Sequence, residues 1–542
     1  MKIFHKRQAI YLSFILPIFL SCNNNLDEVV YSELTTENYS ITNAYQVIGI
    51  VYANMRPLFW HQNYYMLQET SADAIVMPAN AAGWDDGGIY RQFHLHTWNS
   101  ETPQLTQMWN TLYTGVINTN RIIEQLEAGA VPDPERVTTQ SLVAEMKTAR
   151  AFFYWLLMDN FGEVPLLTAF SDELPAKSTR REIYNFVTQE LEANIPLLSE
   201  LNNPLYYGRF NRWAGKALLA NIYLNAKVYV GEEKWQEAIR ECDDIINSGN
   251  YSIANDVSEP FRTFNENSPE IIFAIPFDEV RATGFPGGFC VHLWSWHAAL
   301  RAKFNMIGIP WATGSGKGIT QFINTYVDGD KRLQGSWMIG PQFASDGVTP
   351  LVGNYDLAGK QIVFTKELPN GVFTGEAEGY RMNKFQVKSG AMNGLDNDFP
   401  FFRYAQILMI KAECLLRLGL SDEAAVLVNE VRRRAFQSDH PNGELTGEDL
   451  LKNSAYQYGY VENYEIVENG DQSPIQFGKL YDELGFEFSW EGHRRRDMIR
   501  FGIFTTKSWL SHKPNGEHRI CFPIPQIAVN TNPNLVQHSS YQ

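Results

Sequence analysis

The sequence predicts a fold dominated by α-helices that are arranged as helical pairs, with long irregular loops and a few short strands between them. Several segments repeat apolar residues every three or four positions, which is the period of one helix face. These segments come in pairs that a short turn separates. Two long intervals, 60–109 and 255–400, lack this period. We therefore expect a helical scaffold with long loops, where binding residues often lie.

Three segments in the first half of the chain have the helical period, and they cover 141–157, 213–224 and 235–246. The stretch 268–277, SPEIIFAIPF, is instead a continuous apolar run, which predicts a strand. It lies within the second irregular interval, which is rich in Gly, Asn, Asp and aromatic residues. Short strands and loops are therefore expected there.

The late part of the chain repeats the helical pattern over 405–416 and 424–435, with Gly419 in the break. The stretch from Ala412 to Ala435, AECLLRLGLSDEAAVLVNEVRRRA, is similar to a tetratricopeptide unit, with small residues where two helices cross. Units of this type stack on their neighbours. The predicted fold class is therefore an all-α-dominated, tetratricopeptide-like scaffold of helical pairs.

The N-terminus has the features of an export signal. Basic residues precede an apolar run over 9–20, which is shorter than the roughly 20 residues of a membrane-spanning helix. The end of this run resembles a bacterial lipoprotein signal, in which the cysteine, here Cys22, receives the lipid. Phe19 and Leu20 depart from the usual residues of such a site, so the alternative is an ordinary secretory signal with an incidental cysteine. We expect a signal peptide over 1–21 and lipid attachment at Cys22.

The charge balance argues against one class of partner. The chain has 61 acidic and 45 basic residues, which gives a formal net charge of −16. Nucleic-acid binding relies on a cationic face, so we expect no nucleic-acid partner. The same balance argues mildly against a polyanionic glycan. The cysteines after Cys22 have no metal-type spacing, and we expect no metal and no cofactor.

Six segments in series resemble landmarks of the SusD/RagB family of outer-membrane nutrient-binding lipoproteins. In chain order they are AEMKTARAFFYWLLMDNFGEVPLL from Ala144, RWAGKALLANIYL from Arg212, KWQEAIRECDDIINSGNY from Lys234, RYAQILMIKAECLLRLG from Arg403, FEFSWEGHRRRDMIRFG from Phe486 and FPIPQIAVNTNPNLVQ from Phe522. Each segment alone is a weak signal, whereas six in the family order are a strong one. The resemblance extends over almost the whole chain.

The resemblance implies a non-catalytic protein that is lipid-anchored to the outer membrane of a Bacteroidetes-like bacterium and faces the cell exterior. It also implies that the protein captures oligo- or polysaccharide and delivers it to a SusC-like TonB-dependent transporter. For the domains, we expect a SusD-like body over 22–542. Within it we expect an N-terminal part with helical pairs over 23–250, irregular ligand-face insertions over 255–400 and a C-terminal part over 401–542.

Glycan binding in water uses flat aromatic rings against the C–H faces of sugars, and fixed polar groups for the hydroxyls. The segment GWDDGGIYRQFHLHTW, from Gly83 to Trp98, resembles the family loop that borders the ligand face. Trp84 precedes Asp85, Asp86 and two glycines, a turn-forming run that favours an outward-facing ring. We therefore predict that Trp84, Asp85 and Asp86 contact the ligand.

Four further tryptophans lie in the second irregular interval. Trp294 and Trp296 are two residues apart, so on a strand they would share one face. Trp311 and Trp337 lie in nearby Gly-rich stretches. We predict that all four belong to the ligand platform, and we interpret Trp109 as a core residue.

Two other functions stay open from the residues alone. One is an α-helical glycoside hydrolase, for which Glu69 with Asp73, or Asp85 with Asp86, would be the paired carboxylates. The other is a tetratricopeptide scaffold that binds peptides or proteins. We assign no catalytic residue.

Overall fold

The computed structural model describes residues 43–541, with gaps at 83, 133–136, 171–172, 282–287, 308–313 and 393. The predicted signal peptide, the predicted lipid attachment at Cys22 and the predicted ligand contact Trp311 lie outside the described residues. The described part, from Asn43 onward, belongs to one structural unit.

The first half of the chain is mainly helical. Its helices are α1 Ala44–Ala53, α2 Tyr64–Thr70, α3 Ile89–His94, α4 Pro103–Glu127, α5 Thr139–Phe161, α6 Arg180–Asn194, α7 Arg212–Leu224, α8 Ala226–Val230 and α9 Trp235–Asn247. The middle of the chain has only short helices, which are α10 Leu300–Lys303, α11 Thr320–Ile323 and α12 Lys331–Ser336. The last part returns to helices, with α13 Tyr404–Arg417, α14 Ser421–Arg432, α15 Gly447–Leu450, α16 Gly478–Phe488, α17 Arg494–Arg500 and α18 Gln526–Thr531.

The long helices pack against one another in a continuous series. Helix α5 packs between α4 and α6, α7 packs against α9, and α9 packs against α13, which pairs with α14. Local residues set the helix ends: Thr179 and Glu182 form a capping box at the start of α6, and Gly419, with a φ of 83°, makes the turn between α13 and α14. The predicted tetratricopeptide-like scaffold is confirmed.

The strands are short, and they pair between distant segments. In chain order they are β1 Ile75–Val76, β2 Ala79–Asn80, β3 Val164–Pro165, β4 Lys177–Ser178, β5 Ile271–Ile275, β6 Lys317–Gly318, β7 Trp337–Met338, β8 Gly340–Pro341, β9 Val363–Phe364, β10 Phe373–Thr374, β11 Arg381–Met382, β12 Phe399–Arg403, β13 Gly459–Glu462, β14 Glu465–Glu468 and β15 Trp509–Leu510. Strand β5 confirms the strand predicted over 268–277, and it pairs antiparallel with β12. Strand β1 pairs antiparallel with β6, and β2 pairs parallel with β10.

The interval 60–109 is more helical than its sequence predicts. It contains α2 and α3, and it ends inside α4. All seven residues of α2 are buried, so no side of this helix faces solvent. Its sequence therefore shows no amphipathic period. Trp109 is buried in α4, as expected. Among the described residues, none of the helices combines the length and the apolar composition needed to cross a membrane.

A buried network of charges joins the late helices to the strand pair β5 and β12. Its members are five cations and five carboxylates, each almost fully buried: Arg332, Lys384, Arg403, Arg432 and Arg434, with Glu270, Asp330, Glu483, Glu487 and Glu491. Equal numbers of the two signs leave the network without net charge. Such a network is stable only while every member keeps its partner.

Candidate functional site

Trp84 lies at the start of a sharp turn that leads into α3. Asp86, Gly87 and Gly88 all have positive φ angles, of 46°, 66° and 77°. Two successive glycines make this left-handed run accessible, because they have no Cβ. The turn leaves Trp84 half-buried, with its ring stacked on Tyr90 of α3 at a centroid distance of 5.8 Å.

Tyr90 is in turn fixed by His61. The Tyr90 hydroxyl donates to the His61 carbonyl at 2.8 Å and lies 2.6 Å from His61 Nδ1. Because the single hydroxyl proton goes to the carbonyl, His61 Nδ1 must be the donor in the second hydrogen bond. Burial lowers the pKa of His61 to about 3, so the imidazole is neutral. The ring that supports Trp84 therefore has a fixed orientation.

Trp60 and Trp294 complete the aromatic cluster. The His61 ring stacks on Trp294 at 3.8 Å, and Trp60 meets Trp294 edge to face at 5.4 Å. Trp294 is fully buried beneath these rings, whereas Trp60 is half-buried. We call Trp60, His61, Trp84, Tyr90 and Trp294 the aromatic cluster. Two tryptophans, Trp60 and Trp84, present it at the protein surface.

Carboxylates lie beside Trp84. Asp85 Oδ2 accepts from Arg91 Nη2 at 2.9 Å. Asp85 Oδ1 and Asp86 Oδ2 have no hydrogen-bond donor within the part of the chain that the structure describes. Burial, with a smaller effect from the neighbouring Asp85, raises the pKa of Asp86. Both of these oxygens are buried, although Asp85 and Asp86 as whole residues are half-buried beside the Trp84 ring.

A polar contact anchors the other side of the turn. Asn80 Nδ2 donates to Ser315 Oγ at 2.6 Å, and Asn80 Oδ1 accepts from the Ala82 backbone at 2.9 Å. Asn80 belongs to β2, and Ser315 precedes β6. These bonds hold the chain just before Trp84 against the segment that follows residue 313.

Three of the predicted platform tryptophans are core residues, and the prediction that they line an open face is wrong. Trp294 ends a 3-10 helix, Val291–Trp294, so it does not share a strand with Trp296. Trp296 is 2% exposed, stacks on Phe304 at 4.6 Å and donates to the Met382 carbonyl. Trp337 is 1% exposed and packs on Trp490. Contacts with distant segments help to bury these rings, and the local sequence does not predict such contacts.

The sequence analysis missed Trp60, His61 and Tyr90 as members of the site. Trp60 and His61 are adjacent, and a Trp-His pair beside a tight turn was the available signal. The pairing of His61 with Tyr90 had no local signal, because the two residues are 29 positions apart.

One of the two carboxylate pairs considered for hydrolysis, Glu69 with Asp73, does not form an open catalytic pair. Glu69 and Asp73 are both buried, with exposures of 2% and 0%. Glu69 accepts from the Gly492 backbone at 2.7 Å, and Asp73 pairs with Arg494 at 2.6 Å. Both acids therefore hold α2 and its neighbouring turn against α17, and neither side chain reaches a cleft.

Sequence comparison decides the family. The profile of the SusD family matches residues 244–541, and a profile described as starch-binding and associating with the outer membrane matches residues 24–224. The chain belongs to the SusD family. The starch-binding protein SusD of Bacteroides thetaiotaomicron is 26% identical, with 89% of this chain and 91% of that protein aligned. SusD-like protein P25 of Formosa agariphila is 23% identical over 80% of this chain and 78% of its own length.

Solved structures share the SusD fold. A laminarin-binding SusD-like protein superposes with a TM-score of 0.67 and 18% identity, over 93% of this chain and 100% of its own. Surface glycan-binding protein A of Bacteroides thetaiotaomicron, in complex with laminarihexaose, gives a TM-score of 0.64 and 19% identity, over 92% of this chain and 99% of its own. The helical pairs described above are thus the SusD-like scaffold.

Proposed function

We propose that this protein is a non-catalytic binding protein for oligo- or polysaccharide, and that the aromatic cluster with Asp85 and Asp86 is its binding face. The observation that supports the proposal most directly is the pre-set Trp84 ring, which is half-buried and stacked on Tyr90. A ring whose orientation is fixed loses little conformational entropy when a sugar stacks on it. Relatives named for binding starch and laminarin support the same ligand class.

The polar groups beside the ring provide hydrogen bonds for sugar hydroxyls. The half-buried carboxylates of Asp85 and Asp86 bring acceptor oxygens to this face, and Arg91 brings donors. The two carboxylates repel anionic sugars, since only one cation, Arg91, is paired with them in the described residues. We therefore propose an uncharged glycan as the ligand.

The cellular setting is part of the proposal. The match to a family described as associating with the outer membrane supports an outer-membrane location, with Cys22 as the lipid anchor and the body facing the cell exterior. A SusC-like TonB-dependent transporter is the proposed recipient of the glycan. Cys22→Ser should move the protein from the membrane fraction to the soluble fraction of cells that express it. A variant that still sediments with the membrane and incorporates labelled palmitate would contradict the anchor.

Affinity electrophoresis tests the binding function. Native gels that contain soluble starch, laminarin or another uncharged polysaccharide should retard the wild-type protein in at least one case. Trp84→Ala should strongly reduce that retardation. Trp213→Ala is the matched control, because Trp213 is also half-buried but belongs to α7 of the scaffold. Equal retardation of wild type and Trp84→Ala would show that the face is elsewhere.

The same samples separate the alternatives. A glycoside hydrolase releases reducing ends from the polysaccharide that retards it, whereas the proposed binding protein releases none. A scaffold for peptides or proteins is retarded by no polysaccharide. The burial of Glu69 and Asp73 favours the binding protein over the hydrolase.

A further inference from the structure

The hairpin formed by β13 and β14 has an unusual residue at its tip. Asn463 and Tyr464 form its two-residue turn, and both have positive φ angles, of 48° and 73°. Asparagine is common at the first of these positions, but the second favours glycine. A side chain with a Cβ is strained in this conformation, because its Cβ comes too close to the following carbonyl oxygen. A strained residue that nevertheless has a large ring points to a role for the ring itself.

The Tyr464 ring is exposed and held in place. The side chain is 55% exposed, and it stacks on no other ring among the described residues. The backbone nitrogen of Tyr464 donates to the Pro369 carbonyl at 3.3 Å, and the hydroxyl donates to the Glu378 carboxylate. This hydrogen bond to Glu378 raises the pKa of Tyr464 to about 12, so the phenol stays protonated. The ring is therefore a fixed aromatic surface that faces solvent.

A groove of about 680 Å³ lies directly beside this ring. That volume is within the range of small-ligand sites, roughly 300–1,000 Å³. Leu368 and Leu510, both buried, contribute apolar surface to the groove, and the exposed side chains of Asn324 and Gln457 contribute amides. Asn324 Oδ1 accepts from Lys366 Nζ at 2.6 Å, which leaves the Asn324 amide nitrogen to donate.

We propose that the groove beside Tyr464 is a second carbohydrate site, which takes an uncharged sugar unit with its C–H face against the Tyr464 ring. An aromatic ring next to neutral amides is the combination that recognises pyranose sugars. Two carboxylates, Glu465 in the groove and Glu378 on the ring hydroxyl, outnumber the cation on Asn324, Lys366, so the local charge disfavours uronic acids and sulfated sugars.

This site goes beyond the function proposed above, because it shares no residue with the aromatic cluster. The proposal includes binding of two stretches of one polysaccharide chain, where that chain is long enough to reach both sites. The second contact is then intramolecular, and the apparent affinity for a long chain exceeds the affinity for a short oligosaccharide. The groove would therefore matter more for polysaccharide than for a hexasaccharide.

Tyr464→Gly provides a clean test. Glycine suits the left-handed turn position, so this variant removes the ring without strain and should fold at least as stably as wild type. Tyr464→Phe retains the ring face and serves as the conservative control. Retardation is measured in gels that contain soluble starch or laminarin, in the wild-type and Trp84→Ala backgrounds, with thermal melting to confirm folding.

We expect Tyr464→Gly to weaken apparent polysaccharide affinity by about threefold to tenfold and Tyr464→Phe to retain it. The second site is overturned if folded Tyr464→Gly is retarded like its parent in both backgrounds. In that case a loss with Trp84→Ala would still support the aromatic cluster. Conversely, a loss with Tyr464→Gly and none with Trp84→Ala would support the groove and contradict the first site. Wild-type protein that no uncharged polysaccharide retards would contradict both.

Discussion

At the scale of single residues, the aromatic cluster depends on one hydroxyl. The Tyr90 hydroxyl donates to the His61 carbonyl and accepts from the His61 Nδ1–H. All of these atoms are buried. Because buried polar groups without partners cost free energy, this pair of hydrogen bonds fixes the rings relative to one another. The ring orientations of the surface tryptophans Trp60 and Trp84 are therefore fixed by the buried residues beneath them.

Tyr90→Phe tests this dependence. The variant retains the ring beneath Trp84 but leaves two buried polar groups of His61 without this partner, so we expect unfolding to become easier by about 1–3 kcal/mol. Urea denaturation followed by circular dichroism measures the change. Tyr355→Phe is the control, since Tyr355 is 50% exposed, and its effect should stay within about 0.5 kcal/mol. Equal stability losses in both variants would contradict the assigned role of the hydroxyl.

The conformation of a single residue could be predicted from the sequence where neighbouring residues determine it. The Asp-Asp-Gly-Gly run after Trp84 predicted a turn, and the structure has one. Trp296 and Trp337 are buried by contacts with Met382 and Trp490, which are distant in the chain, and Trp296 also stacks on Phe304, eight residues further on. An exposed ring and a buried ring in a Gly-rich stretch have the same local sequence, so only the fold distinguishes them.

At the scale of elements, the strand pair of β5 and β12 is joined to α16 by the buried charge network. Arg403, the last residue of β12, contacts Glu491 at 2.7 Å, Glu487 at 2.8 Å and Glu270 at 2.5 Å. The carboxylates belong to two distant segments, one just before β5 and the other at the end of α16 and the turn after it, and one guanidinium holds them together. Removal of this cation would leave buried anions uncompensated.

Arg403→Met should therefore destabilise the protein by about 3–5 kcal/mol, measured as the change in unfolding free energy in urea. Arg433→Met is the matched control. Arg433 contacts Glu444 at 3.4 Å, but both side chains are more than 60% exposed, and such pairs contribute about 0–1 kcal/mol. A loss for Arg403→Met no larger than that of the control would contradict the account of the network.

Buried histidines pack α3 and the turn after it against the segment that follows β15. The rings of His96 and His512 lie 4.1 Å apart, and His512 Nδ1 lies 2.9 Å from the His94 carbonyl.

Burial lowers the pKa of His94 to about 3, whereas an unfolded histidine titrates near 6.5. Below pH 6.5, therefore, His94 is protonated in the unfolded chain but stays neutral in the folded chain. The stabilisation by neutral His94 is complete above pH 6.5 and is lost as the pH falls toward 3.

His94→Leu should remove this part of the acid sensitivity. Neither ring nitrogen of His94 has a hydrogen-bond partner among the described residues, so an apolar side chain breaks no bond. Relative to pH 7, the wild type should lose about 2 kcal/mol more than the variant at pH 5. Urea titrations at the two pH values measure the difference. If the wild type and His94→Leu lost the same unfolding free energy between pH 7 and pH 5, His94 would have to accept a proton in the folded state, and the prediction would be wrong.

The long helices were predictable because their cause is also local. Helices α9 and α14 alternate buried and exposed positions with the helical period, and the sequence displays it. Helix α2 was not predictable in this way, because it is buried on every side. Helices α5, α7 and α13 are also buried over most of their length, but each repeats small or apolar residues over at least 13 residues, whereas α2 has only seven.

At the scale of the whole molecule, the formal charge of −16 does not come from the ten residues of the buried charge network. The buried network pairs five cations with five carboxylates, so it adds nothing to that balance. The excess of acidic residues then belongs to the rest of the chain, which agrees with the proposal of an uncharged glycan. The family was predictable from six segments in order, whereas the ligand face needed the three-dimensional arrangement.

The central claim is that an uncharged glycan binds on Trp84 of the aromatic cluster. Isothermal titration calorimetry with a hexasaccharide from the polysaccharide that retards the wild type tests it most directly, with wild type, Trp84→Ala and Trp213→Ala compared at equal folded concentration. We predict that Trp84→Ala weakens the affinity by about tenfold or more, while Trp213→Ala binds like wild type. Equal dissociation constants for wild type and folded Trp84→Ala would contradict the claim.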